Sequence, residues 1–212
     1  MTEILGKLFG SVAKVKIMRL FLLNPEQGFE SSDIATRSRV SRTQVRSEIA
    51  NLLSIGFIQK KKFSKDIEVK KGKKITHKQK RVEGYIFNSA FEYKYALQDL
   101  LVDAEFLTKE DIAKRFKPLG KIKLLLTAGV FTRDPDSRLD LLVVGDVIRR
   151  GAMESTIRML EAEIGKELTY AIFETPEFLY RANMYDKLVR DVIDYPHERV
   201  IDSGLLSQVP KQ

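Results

Sequence analysis

Apolar residues recur at helical spacing in VAKVKIMRLFLL (12–23), where Val12, Val15, Leu20 and Leu23 share a face that Ile17 and Phe21 fill. Asn24-Pro25 and Gly28 are turn residues and end that helix. SSDIATRS (31–38) predicts a short second helix with Ser31 or Ser32 as its N-cap. A third begins after a brief turn, because Ser41 and Gln44 have the spacing of a capping box; Val45, Ile49, Leu52 and Leu53 then face a core before Gly56 ends it. The period next changes. FIQKK and GYIFN read as short strands flanking a basic segment whose EVKKGKKIT centre predicts a hairpin turning at Gly72. NSAFEYKYALQDLLVDAEF is helical in pattern, and TKEDIAKRFKPLG is a second helix opened by Thr108 with acids in its first turn. From residue 121 the pattern alternates: strand KIKLLLTAG, strand LDLLVV, helix RRGAMESTIRMLEAEIG, strand LTYAIFE, one long helix TPEFLYRANMYDKLVRDVID and a short strand ERVID.

This order predicts an α+β chain of two domains, as its 212 residues allow. Three helices followed by strand, basic hairpin and strand give a winged helix-turn-helix over residues 1–88, with the wing at 60–81. Linker helices follow over 89–118, and 119–212 form an α/β domain with a mixed sheet.

Charge sharpens the picture. Residues 60–81 hold eleven Lys or Arg against Asp66 and Glu68, a net +9 in a chain whose total is +8, so the basic excess lies entirely in that segment. Such a segment binds polyanions through counterion release. The solvent face of the third helix carries Ser41, Arg42, Thr43, Gln44, Arg46 and Ser47. Arg reads guanine and Gln reads adenine through paired hydrogen bonds, whereas Ser and Thr reach phosphate or base edges. In the wing, Lys70, Lys71, Lys73 and Lys74 are the expected backbone contacts. These features point to double-stranded DNA as partner, with a homodimer expected because operators are commonly two-fold. Phe91, Tyr93 and Tyr95 form an aromatic series that either stacks bases or packs the helix against a neighbouring domain or subunit.

Other chemistry is narrowed by composition. With no cysteine, and with His77 and His197 far apart in sequence, disulfides, thiolate sites and a zinc spacing are excluded. No apolar run approaches the roughly 18 residues of a membrane span, and the reading is a cytoplasmic protein with no membrane partner.

AGVFTRDPDSRLDLLVVGD (128–146) resembles the core signature of the nucleotidyltransferase superfamily that includes polymerase β, in its minimal prokaryotic form: Gly-Ser, a loop, then Asp-x-Asp on a strand. GKELTYAIFETPEF and ERVID continue the likeness, and the whole order is similar to a prokaryotic family in which a winged helix of the ArsR/MarR kind precedes such a domain. The resemblance implies two-metal phosphoryl transfer, with paired carboxylates holding Mg²⁺ against a nucleoside triphosphate. The functional positions depart from it. Asp140 matches the second acid, but Arg138 stands at the first and Val130 follows Gly129 where Ser belongs. Tyr170 and Ala171 occupy the strand expected to bear a third acid, with Glu167 and Glu174 only at its ends. A guanidinium two residues from Asp140 is expected to pair with it and occupy the metal's place. The resulting expectation is a DNA-binding transcriptional regulator with no catalytic residue, metal or cofactor. Its degenerate site (Gly129, Val130, Arg138, Asp140) serves assembly or binds a nucleotide or other phosphate-bearing ligand. The alternatives are an active nucleotidyltransferase recruiting Asp134, Asp136 or Glu174 beside Asp140, and a protein-interaction adaptor.

Overall fold

The computed structural model describes Thr2–Lys71, Lys74–Asp103, Leu107–Asp134 and Asp136–Val209, with the backbone alone at Thr2, 67–71, 74–77 and Asp103. It is a mixed α+β chain that divides into two compact units, Met1–Phe106 with Glu161–Lys166, and Leu107–Leu160 with Glu167–Gln212.

In the first unit the apolar periodicity becomes four helices: α1 (Thr2–Leu8), α2 (Val12–Leu23), α3 (Ser31–Ser38) and α4 (Arg42–Ser54). Helix α2 is central, with Val15, Ile17, Met18, Leu20, Phe21 and Leu22 all buried, so apolar residues appear around most of its circumference. Val12, expected on the core face, is exposed because it opens the helix. Ile34 of α3 and Val45, Ile49 and Leu52 of α4 complete this core with Phe29, Phe57 and Phe87. Arg19 is also buried here; its Nε donates to the Leu101 carbonyl at 2.7 Å, and desolvation lowers its pKa to about 10.

Neither Ser31 nor Ser32 caps α3. The cap is Glu30, whose N–H donates to the Asp33 carboxylate at 3.1 Å. Its predecessor Phe29 is held in an antiparallel bridge with Tyr85, donating at 2.8 Å and accepting at 2.9 Å, and this brings the helix start forward. Helix α4 has Ser41 as N-cap and ends where Gly56, at φ +74°, donates to Leu53.

Strands β1 (Ile58–Lys71) and β2 (Lys74–Phe87) pair antiparallel without a register break, from Ile58 opposite Phe87 to Lys71 opposite Lys74. The basic segment is therefore itself strand, and both strands run far beyond the short ones expected. At fourteen residues each, the ribbon spans about 45 Å. Its base is anchored by Ile58, Val82, Ile86 and Phe87, and alternation there is what pins the register. The turn expected at Gly72 lies outside the described residues.

Residues 89–118 are not a separate linker. Phe91 and Leu97 pack on the first core with buried Leu101, over a short helix α5 (Lys94–Gln98) continued by a π-helical turn, Asp99–Asp103. Helix α6 (Lys109–Phe116) instead buries Ile112 and Phe116 in the second unit. The second unit then continues as β3 (Lys121–Thr127), β4 (Leu141–Asp146), α7 (Arg150–Ile164), β5 (Tyr170–Phe173), α8 (Thr175–Asn183), α9 (Lys187–Asp194) and β6 (Glu198–Asp202). The sheet order is β5-β4-β3-β6, antiparallel at β3/β4 and β3/β6 and parallel at β4/β5. Leu124, Leu125 and Leu126 are all fully buried, as are Leu142, Val143 and Val144, so the two central strands are covered on both faces. The long helix expected after β5 is two helices. Asp186 accepts the N–H groups of Leu188 and Val189, a cap that starts α9 afresh, and Tyr185 turns the chain at φ +54°. Among the described residues no helix is long and apolar enough to cross a membrane.

Gly84 sits where the Phe29–Tyr85 bridge meets the ribbon, and a Cβ there would collide with the Phe29 carbonyl. Gly84→Ala is expected to destabilise the protein by about 1–3 kcal/mol, read as a lower urea midpoint, since the obstacle is backbone.

Candidate nucleic-acid interface and the Asp140 loop

The buried stripe of α4 turns the opposite side of that helix outward, and Ser41, Arg42, Thr43, Gln44, Arg46 and Ser47 are all exposed. They are not equivalent. The Ser41 hydroxyl accepts from the Gln44 N–H at 3.3 Å and donates to Gln44 Oε1 at 2.9 Å, so Ser41 is a cap that also orients the glutamine. Among the described residues one lone pair of that Oε1 and both amide N–H donors have no partner. Arg42 and Arg46, four apart, line a hollow of about 250 Å³ with Ser31 and Ser32. No acidic partner holds either guanidinium among the described residues. A second hollow of about 380 Å³ is lined by Ser31, Lys60, Lys61, Lys62 and Glu83. Ser31 belongs to both, which joins the arginines of α4 to the lysines at the ribbon base in one polar track. Guanidinium and ammonium groups so placed bind phosphate oxygens.

The ribbon's cations fall into two classes. Lys65 donates to Asp33 at 2.6 Å and to Glu30 at 3.0 Å, tying β1 to the start of α3. The hydrogen bond to Asp33 is the main reason its pKa is raised. Lys62 lies 2.9 Å from Glu83 across the ribbon, which raises the lysine and lowers the glutamate. These two are occupied within the fold, whereas Lys60 and Lys61 are exposed. Of the expected wing contacts, Lys73 is not among the described residues, nor are the side chains of Lys70, Lys71 and Lys74. Of the aromatic series, Phe91 packs edge-on against Phe57 at 5.4 Å, while Tyr93 and Tyr95 are exposed.

In the second unit the expected Arg138–Asp140 pair does not form. Strand β4 begins only at Leu141, so both residues belong to the preceding loop and strand alternation does not align them. Arg138 Nε instead lies 2.5 Å from Asp191 Oδ2 on α9. Asp140 is buried, and its carboxylate is spent on backbone: Oδ1 accepts the Val130 N–H and Oδ2 accepts the Thr169 N–H, each at 2.8 Å. Its own N–H donates to the Thr169 carbonyl at 2.7 Å, and its carbonyl accepts from Ala128 at 2.9 Å. Gly129, at φ +54°, runs so close that a Cβ would collide with Asp140 Oδ1. Asp140 thus closes the 129–140 loop and fastens it to the chain entering β5.

The metal pair implied by the resemblance does not fit these residues. Both Asp140 oxygens already accept N–H groups, and the strand position that follows Thr169 is the exposed Tyr170. Asp134 accepts the Asp136 N–H at 3.1 Å, and Glu174 is the exposed residue preceding α8. No group of three or more His, Cys, Asp or Glu able to hold a metal occurs among the described residues. Sequence reasoning missed Thr169 and Asp191. Thr169 contributes only backbone atoms, which carry no residue signature, and Asp191 is distant in sequence.

No protein-family model, curated protein or solved structure matches this chain.

Asp140→Ala leaves two N–H groups without their charged acceptor and is expected to cost about 3 kcal/mol or more; Asp140→Asn, retaining one oxygen, about 1–3 kcal/mol. Urea unfolding of both variants measures this. A wild-type midpoint in Asp140→Ala would remove the loop-closing role.

Proposed function

We propose that the chain is a DNA-binding regulator of transcription. Residues 1–88 engage duplex DNA in the manner of a winged helix, with the exposed face of α4 in the major groove and the basic ribbon along the backbone. The observation that carries this reading is the polar track through Ser31, which connects Arg42 and Arg46, without an acidic partner among the described residues, with Lys60 and Lys61 on the same unit. A helix with exposed arginines alone would be unremarkable surface; continuity with the net +9 segment supplies a reason for the arrangement.

The second unit supports this reading by assembly rather than chemistry, since Asp140 acts there as a structural acceptor. Two copies meeting a two-fold operator give the affinity that one small module lacks.

Gel-shift titration against a random duplex pool at several salt concentrations tests the proposal. Lys60→Ala with Lys61→Ala is expected to weaken binding to every sequence and flatten the slope of log K against log salt by about 0.9 per lost contact. Arg42→Ala or Gln44→Ala is expected to relax preference at one or two base pairs, by about 1–3 kcal/mol each. Absence of any shift at low salt, or the same uniform loss from both sets, would defeat the assignment.

A further inference from the structure

Away from the polar track, the first unit carries an apolar groove of about 550 Å³. Phe9, Phe91 and Tyr93 supply aromatic walls, and Met18, Leu52 and Leu97 line the groove with them. It is concave and of the size that encloses a small molecule, with few polar groups converging on it.

One of those polar groups is held in an unusual way. Lys14 lines the groove, and its Nζ has two neighbours among the described residues: the Phe9 carbonyl at 3.4 Å and Glu48 Oε2 at 3.7 Å. The second distance is beyond a hydrogen bond, and Glu48 Oε2 is a buried atom with no hydrogen-bond partner. An ammonium has three donors, and here one long bond uses only one of them. Glu48 itself does not line the groove. The charge a ligand meets there is therefore positive, beside the exposed side-chain amide of Asn51.

We propose that this groove binds a small amphipathic anion, with a flat apolar body between Phe9, Phe91 and Tyr93 and one acidic oxygen group on Lys14. The groove also touches Ile55, the residue that caps the C-terminal end of α4. Occupancy therefore bears on the helix whose N-terminal half carries the candidate base contacts, a coupling that rests on the DNA-binding reading.

Two fluorescent probes of the same shape separate the terms: anilinonaphthalene sulfonate, which carries one anionic group, and its uncharged relative N-phenyl-1-naphthylamine. The intact chain is expected to bind the sulfonate saturably with one site per chain. Lys14→Met should weaken the sulfonate about tenfold or more and leave the neutral probe nearly unchanged. The double variant Lys14→Met, Glu48→Gln repeats this comparison without a buried unpaired carboxylate. Tyr93→Ala, which removes a 60% exposed ring, should weaken both probes while the fold survives. Non-saturating uptake, or unchanged affinity in all three variants, overturns the proposal. So does loss of probe binding as the chain self-associates, which would assign the groove to a second copy. Saturating sulfonate should also shift duplex affinity about fivefold or more. An unchanged duplex affinity would refute the coupling, while a chain that binds no duplex leaves the probe measurements to decide the groove.

Discussion

A carboxylate has two oxygens, and the second unit depends on how Asp140 spends them. One holds the amide of Val130 and the other that of Thr169, so a single buried side chain joins the loop after β3 to the chain entering β5. Hydrogen bonds from backbone N–H to an ionised acceptor are among the stronger ones a fold can make. These add to the backbone bonds that Asp140 makes with Ala128 and Thr169 at that end of the sheet. The same geometry explains Gly129, whose missing side chain is the space Asp140 Oδ1 occupies. An acid followed by a buried apolar run reads as a ligand in sequence. In three dimensions each of its oxygens holds a backbone N–H, and no second carboxylate stands beside it among the described residues to complete a metal site.

The ribbon shows the corresponding distinction among cations. Counting lysines gives a potential, but of those described Lys60 and Lys61 face solvent whereas Lys62 and Lys65 are tied to acids of the same chain. Lys65 bridges Glu30 and Asp33, which offsets one of the two negative charges at the start of α3 and ties the ribbon to that helix. Ser31, the first residue of that helix, lines both hollows. Part of the basic excess therefore sets the geometry in which the remainder is presented.

How far the chain could be read before folding follows from where each signal resides. Ser41 and Gln44 act within one turn of backbone, and their spacing placed the start of α4 because capping is a local interaction. The same reasoning chose Ser31 or Ser32 for α3, and a long-range bridge from Phe29 to Tyr85 moved the cap to Glu30. Ribbon length was hidden by composition: lysine-rich sequence has weak strand propensity, and cross-strand pairing over the full register outweighs it. The break between α8 and α9 had its signal in Asp186, an aspartate in a cap position inside an otherwise helical pattern. Arg138 was misread because a period of two was extended past the end of the strand, where side chains no longer alternate.

Helix α4 is where these features act on one another. Its thirteen residues make a rod of about 20 Å, with the exposed arginines toward its N-terminal end and the groove at its C-terminal end. A packed helix moves as a unit because its interior neighbours are close-packed, and a displacement at one end is passed to the other instead of being absorbed. Val45, Ile49 and Leu52 form the contact about which such motion would pivot. Glu48 lies on this helix between the two ends, and Lys14 of α2 stands 3.7 Å from its Oε2, beyond a hydrogen bond. The groove at Ile55 and the exposed face at Arg42 and Arg46 thus lie at the two ends of one helix.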